Sequence, residues 1–181
     1  MTTKKITPSW SDVKTKLSDL DHTDLTRLLQ DLYAASKDNQ VFLHSRFALG
    51  GDMLKPYKAT IDRWLWPNVF GKEDFSVSRA KKAISDYKKA MGQAEGLAEL
   101  MVFYCERAAG FCNDFGVQDD GYFDALVRMF AQALKAIDGL PQGARPERPQ
   151  RLEEVRHVSE NFGYGVSDAM GYLLAEYGVD D

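Results

Sequence analysis

The stretch SRAKKAISDYKKA, Ser78 to Ala90, sets five basic residues against one acid in thirteen positions. Placed at about 100° per residue, Ala80, Ala83, Ile84, Tyr87, Ala90 and Met91 share one arc, with Val77 at its border. Lys81, Lys82, Lys88 and Lys89 fall on the opposite arc, stacked in pairs two turns apart. A continuous apolar face opposite a charged one predicts an amphipathic helix, and no two-residue alternation competes with it. The segment is therefore a helix, and the same period recurs on both sides of it.

Upstream, Ser9 or Ser11 is placed to cap a short helix carrying Trp10, Val13, Leu17 and Leu20. Asp21 or Thr23 opens a second, striped by Leu25, Leu28, Leu29, Leu32 and Tyr33. A third, with Val41, Phe42, Phe47 and Leu49, follows the break SKDNQ and ends at Gly50 and Gly51. The fourth runs from about Met53 to Leu65, with Pro56 in its first turn, where a missing amide matters little. It closes at WLWPN, because the residue before Pro67 is driven out of helical geometry.

Downstream, a helix from about Glu95 to Phe115 stops at Gly116, and QDD (Gln118 to Asp120) starts another that reaches Ile137. The run DGLPQGARPERPQR, Asp138 to Arg151, holds three prolines and two glycines and reads as a linker. Beyond it, Leu152, Val155, Phe162, Val166, Ala169, Leu173 and Tyr177 keep a helical pattern. Glycines in NFGYGVSD predict a kink or break there, each costing about 1 kcal/mol in a helix interior. The expected architecture is all-α, a multi-helix bundle or stacked helix pairs. It has about seven helices in a domain spanning 1–138, a linker over 139–151 and a C-terminal helical arm over 152–181.

The 181 residues suffice for one sizeable core. The longest apolar run, Leu100 to Cys105, is six residues, against about 20 for a membrane span. The opening MTTKKITPSW lacks the apolar stretch of a secretory signal, and two cysteines imply no disulfide framework. A cytoplasmic, reduced protein without a membrane partner is expected. Charge is uneven: residues 1–100 carry 16 Lys and Arg against 13 Asp and Glu, residues 101–181 only 7 against 14. The net −4 falls short of a dedicated nucleic-acid binder.

Motifs for chemistry are sparse. Glu154 and His157 have the Glu-x-x-His spacing of di-iron bundles, but no second copy accompanies them, so a surface pair is the better assignment. Cys105 and Cys112 lie two helical turns apart and read as small buried apolar residues. The acidic NDFGVQDDGYFD, Asn113 to Asp124, fails the calcium-loop register and reads as a helix stop followed by an acidic N-cap. Nucleophile-elbow, phosphate-loop, dinucleotide and Cys-x-x-Cys patterns do not occur. This leans against an enzyme, although a dispersed active site leaves no motif, and no cofactor or metal ligand is expected.

Four pieces in order, LLQDLYAASKDNQVFL (Leu28–Leu43), PYKATID (Pro56–Asp62), SRAKKAISDYKKA and NDFGVQDDGYFDALVRMF (Asn113–Phe130), give residues 9 to about 138 a resemblance to a family of uncharacterised bacterial all-helical proteins, a domain of unknown function. The resemblance implies a small cytosolic bacterial protein and brings no activity, cofactor or catalytic residue. From the residues themselves, the leading expectation is a non-enzymatic protein–protein interaction or scaffold module. It would bind another protein or itself, the arm being unable to bury its stripe alone. Candidate partner-binding residues are Trp64 and Trp66, in an aromatic patch with Tyr57 and Phe70, and Phe162, Val166, Leu173 and Tyr177 on the arm. The alternative is nucleic-acid binding, phosphate backbone against Lys81, Lys82, Lys88 and Lys89.

Overall fold

Side-chain caps at Ser9, Asp21 and Asp119 start the helices that follow them. The computed structural model describes residues 7–68, 71 and 74–178, and within them the fold is all-helical. Ser9 and Asp12 form a reciprocal capping box at the start of α1 (Trp10–Leu17). The Asp21 carboxylate accepts the Asp24 amide at 2.8 Å and opens α2 (His22–Ala35). After α3 (Lys37–Arg46) and α4 (Lys55–Leu65), Trp66 leaves helical geometry at φ −130°, as Pro67 requires. Next come α5 (Val77–Ala90) and α6 (Ala94–Phe115), which ends on Gly116 at φ +61°. Asp119 then caps α7 (Asp120–Asp138), its carboxylate accepting the Tyr122 amide at 2.7 Å. Two more helices, α8 (Arg148–Val158) and α9 (Val166–Glu176), complete the described chain.

Two compact units result, residues 1–44 and 45–181. In the larger, α6 is the central helix, packed on by α4, α5, α7 and α8. Its sequence is apolar nearly all round, as a helix enclosed by neighbours must be. Leu100 and Tyr104 of α6 and Leu126, Phe130 and Leu134 of α7 are among the unit's fully buried side chains. Glycines let neighbours approach closely. A Cβ on Gly110 would stand 2.6 Å from the Trp66 ring, and one on Gly96 would overlap the Tyr87 hydroxyl. The Tyr122 hydroxyl donates to the Leu65 carbonyl at 3.1 Å, satisfying an orphan group at the end of α4.

The expected seven helices up to residue 138 appear, but α3 begins at Lys37, inside the stretch read as a break, and ends at Arg46 before Phe47 and Leu49. The organisation after Asp138 also differs. The 139–151 stretch carries a 3-10 turn (Gln142–Ala144) and the first residues of α8. There Arg145 donates to the carbonyls of Leu140 and Asp138, and Pro149 occupies the first turn of α8. The helical segment expected over 152–181 packs on helices of its own unit. Leu152 and Val155 of α8 and Val166, Met170 and Leu174 of α9 are buried, with α8 packed on α6 and α9 on α7. The break foreseen at NFGYGVSD is present, as a 3-10 turn (Ser159–Asn161) and a left-handed Gly165.

The smaller unit is built differently. Neither α1 nor α2 contains a buried residue. The α2–α3 corner is held by hydrogen bonds: Asn39 Nδ2 donates to the Leu32 carbonyl and Gln40 Nε2 to the Tyr33 carbonyl. Tyr33 Oη and His44 Nε2 lie 3.0 Å apart. These contacts occupy the last carbonyls of α2 without making a core.

Candidate functional site

The basic face of α5 is where the periodicity placed it, with Ala80, Ala83, Ile84, Tyr87 and Ala90 on the buried side. Its four lysines are not equivalent. Lys82 Nζ is 2.5 Å from Asp86 Oδ2 one turn on. Lys81 is half-buried, and burial first, then the nearby Arg128 charge, lower its pKa. Lys88 and Lys89 are exposed. Arg46 Nη2 binds the Lys89 carbonyl at 2.7 Å, satisfying the C-terminal end of the helix.

Trp64 and Trp66 are both half-buried and already occupied by arginines. Arg63 and Arg79 lie over the Trp64 ring at 4.8 and 4.2 Å, and Arg107 lies 3.9 Å from the Trp66 centroid. Trp66 also meets Phe111 and Phe115 edge-on at 6.2 Å. Phe70 is outside the described residues. The C-terminal candidates are likewise engaged: Phe162 stacks on Phe123 at 5.3 Å, Val166 is buried, and Leu173 and Tyr177 are half-buried. Within the larger unit these side chains serve the chain's own packing.

A cluster that single-sequence periodicity missed lies between α4, α6 and α8. Glu99 and Glu106 stand two turns apart on α6, and Arg151 of α8 spans them. Its Nη1 donates to Glu99 at 2.8 Å, while Nε and Nη2 donate to the two oxygens of Glu106 at 2.7 and 2.8 Å. Lys58 of α4 donates to the same Glu99 at 2.7 Å, and Arg148 Nε lies 3.5 Å away. Burial pushes the Glu99 carboxyl up, but the bonds from Arg151 and Lys58 outweigh it and hold the group below its ordinary value. The Glu106 hydrogen bonds, opposed by burial and aided by Glu99, raise Arg151. An ionised carboxylate so matched is a fastener between helices, not a proton donor poised near neutral pH. The signal lay in two glutamates seven apart in an otherwise apolar helix and two arginines three apart downstream.

Other sequence candidates resolve simply. Cys105 and Cys112 are free and buried; burial raises both thiols, Cys112 to about 12. His157 is exposed, with Nδ1 2.9 Å from Glu160 and Nε2 3.4 Å from Glu153. Among the described residues no helix is long and apolar enough to cross a membrane.

The surface left without a cover is on α1–α3. Eight large apolar side chains between Trp10 and Phe42 are exposed, among them Trp10 at 69% and Leu29 at 52%. Leu28, Leu29, Leu32 and Tyr33 form a stripe along α2, and Trp10 and Val13 on α1 and Leu20 just after it are exposed as well. The periodicity had located both stripes but carried no sign that they face solvent.

Compared with known proteins, the chain matches no family model, no curated protein and no solved structure.

Proposed function

We propose that this chain is a non-enzymatic, cytosolic interaction module that binds protein through the apolar faces of α1 and α2. One observation carries this: eight large apolar side chains lie exposed over a segment in which α1 and α2 bury no residue at all. Large apolar side chains exposed in this number mark an interaction site, because exposure costs about 1.5–3 kcal/mol for each one that could be buried. The reading moves the binding surface away from the C-terminal residues proposed by periodicity, since those pack within their own unit. Two buried free thiols support a reducing compartment.

The test places a photo-cross-linking amino acid at Leu28 in the full chain inside cells. Discrete adducts are expected, lost when Leu29→Lys and Leu32→Lys are added. The same pair should shift folding stability by no more than about 0.5 kcal/mol, as for exposed positions. A smear or no adduct, or unfolding by the pair, would refute the assignment.

A further inference from the structure

Resting on that protein-binding reading, we infer that the occupant of the surface is a second copy of this chain, with α1 of each copy laid on α2 of the other.

The borders of the two faces differ in charge. On α1, Trp10, Val13 and Leu17 form the apolar face, with Leu20 just beyond the helix, Lys14 along one edge and Lys16 along the other. Both lysines are exposed. On α2, the Leu25, Leu28, Leu29 and Leu32 face is bordered on one edge by the exposed Asp24 and Asp31, two turns apart. The opposite edge carries uncharged Thr26 and Gln30. Arg27, on the far side of the helix, reaches Asp24 at 3.4 Å in a mostly exposed pair worth little. Whichever direction α1 runs along α2, one lysine edge meets the acidic edge. An antiparallel α2-on-α2 pairing would instead set the aspartates against their own copies, and a parallel one would set them against uncharged Thr26 and Gln30 with no ion pair gained. Charge thus selects α1 against α2, and a two-fold axis makes that contact twice.

Area agrees. Seven exposed apolar side chains on α1, α2 and their connection, Trp10 to Tyr33, at 36–69% exposure, amount to on the order of 600 Å². Two copies bring on the order of 1,200 Å², the lower limit of a specific, stable interface. Neither helix has a core of its own, so the same contact would give both a cover.

The test uses full-length chain in sedimentation velocity over a micromolar concentration series. The wild type should be a monomer–dimer equilibrium. Lys14→Asp with Lys16→Asp, and separately Asp24→Lys with Asp31→Lys, should each weaken self-association more than tenfold by like-charge apposition. All four positions are exposed, so unchanged circular dichroism and melting are expected of each variant at concentrations where every chain is monomeric. Mixing the two variants should yield a heterodimer, and one chain carrying all four changes should dimerise again. A wild type monomeric at every concentration overturns the second copy, while discrete heterologous adducts from Leu28 would keep the protein-binding reading alive. Rescue in the four-fold variant without heterodimer in the mixture would place the α1–α2 contact within one chain and overturn the inference. Dimerisation indifferent to all four charges would overturn it too.

Discussion

The helices of residues 1–44 and those of residues 45–181 are written in the same pattern and meet different fates. In α7, Phe123, Leu126, Phe130 and Leu134 recur at three- and four-residue spacing and are all buried. In α2, Leu25, Leu28, Leu29 and Leu32 recur in the same way, yet the helix buries nothing. Pattern alone therefore states that a face is apolar; it does not state what covers it. The larger unit supplies a central helix long enough to be packed by four neighbours, whereas α1–α3 are tied by caps and corner hydrogen bonds.

The sharpest way to break that comparison is to truncate equivalent leucines. Leu126→Ala, at a fully buried site of α7, should cost about 3–4 kcal/mol in denaturant unfolding, from lost transfer energy and a cavity. Leu29→Ala on α2 should cost under about 1 kcal/mol when measured where the chain is monomeric. Equal losses would mean that α2 is covered after all, and the contrast would collapse.

Arg151→Met probes how α8 is fastened to α6. It leaves two partly buried glutamates without their shared cation, and a loss of about 2 kcal/mol is expected. The side chains keep some exposure, which holds the loss below that of a fully buried pair. Lys82→Met, breaking the surface pair with Asp86, should move stability by no more than about 0.5 kcal/mol. The acid limb adds a second readout. Glu99 titrates lower in the folded chain than its ordinary value of 4.5. Its contribution is complete above that pH and fades as pH falls through the lowered folded value. Arg151→Met should flatten that limb, and an unaltered acid profile would remove the seam from the fold's energetics.

A smaller loss than at Arg151 is expected at Gly96. A methyl group there meets the buried Tyr87 ring of α5, so Gly96→Ala should cost about 1–2 kcal/mol despite better helix propensity. Gly116→Ala, with open space around its Cβ but φ +61°, tests conformation without packing and should cost about 1 kcal/mol. A stabilised Gly96→Ala would show that α5 and α6 approach less closely than drawn.

Much of this molecule was legible residue by residue. Ser9 or Ser11, Asp21 or Thr23, and the run Gln118 to Asp120 announced helix starts, of which Ser9, Asp21 and Asp119 are the caps. Gly116 and Trp66-Pro67 announced stops, and the lysines of α5 were placed on the wet side. Each of those features depends on contacts within about four residues, which sequence spacing encodes directly. Local composition also misled. Three prolines and two glycines between 138 and 151 suggest a free linker, yet Arg145 and Arg148 bind that segment's carbonyls and α8 starts inside it. The sequence by itself determined that the chain is helical, where most of its helices lie and which of their faces are apolar. The tertiary structure alone decided that α8 and α9 are covered while α1 and α2 are not, that Gly96 and Gly110 are points of close approach, and that Arg151 joins Glu99 and Glu106. Those decisions rest on partners 45 and 52 positions apart in the ionic seam. A helical period records direction about its own axis and carries no information on which neighbour fills it.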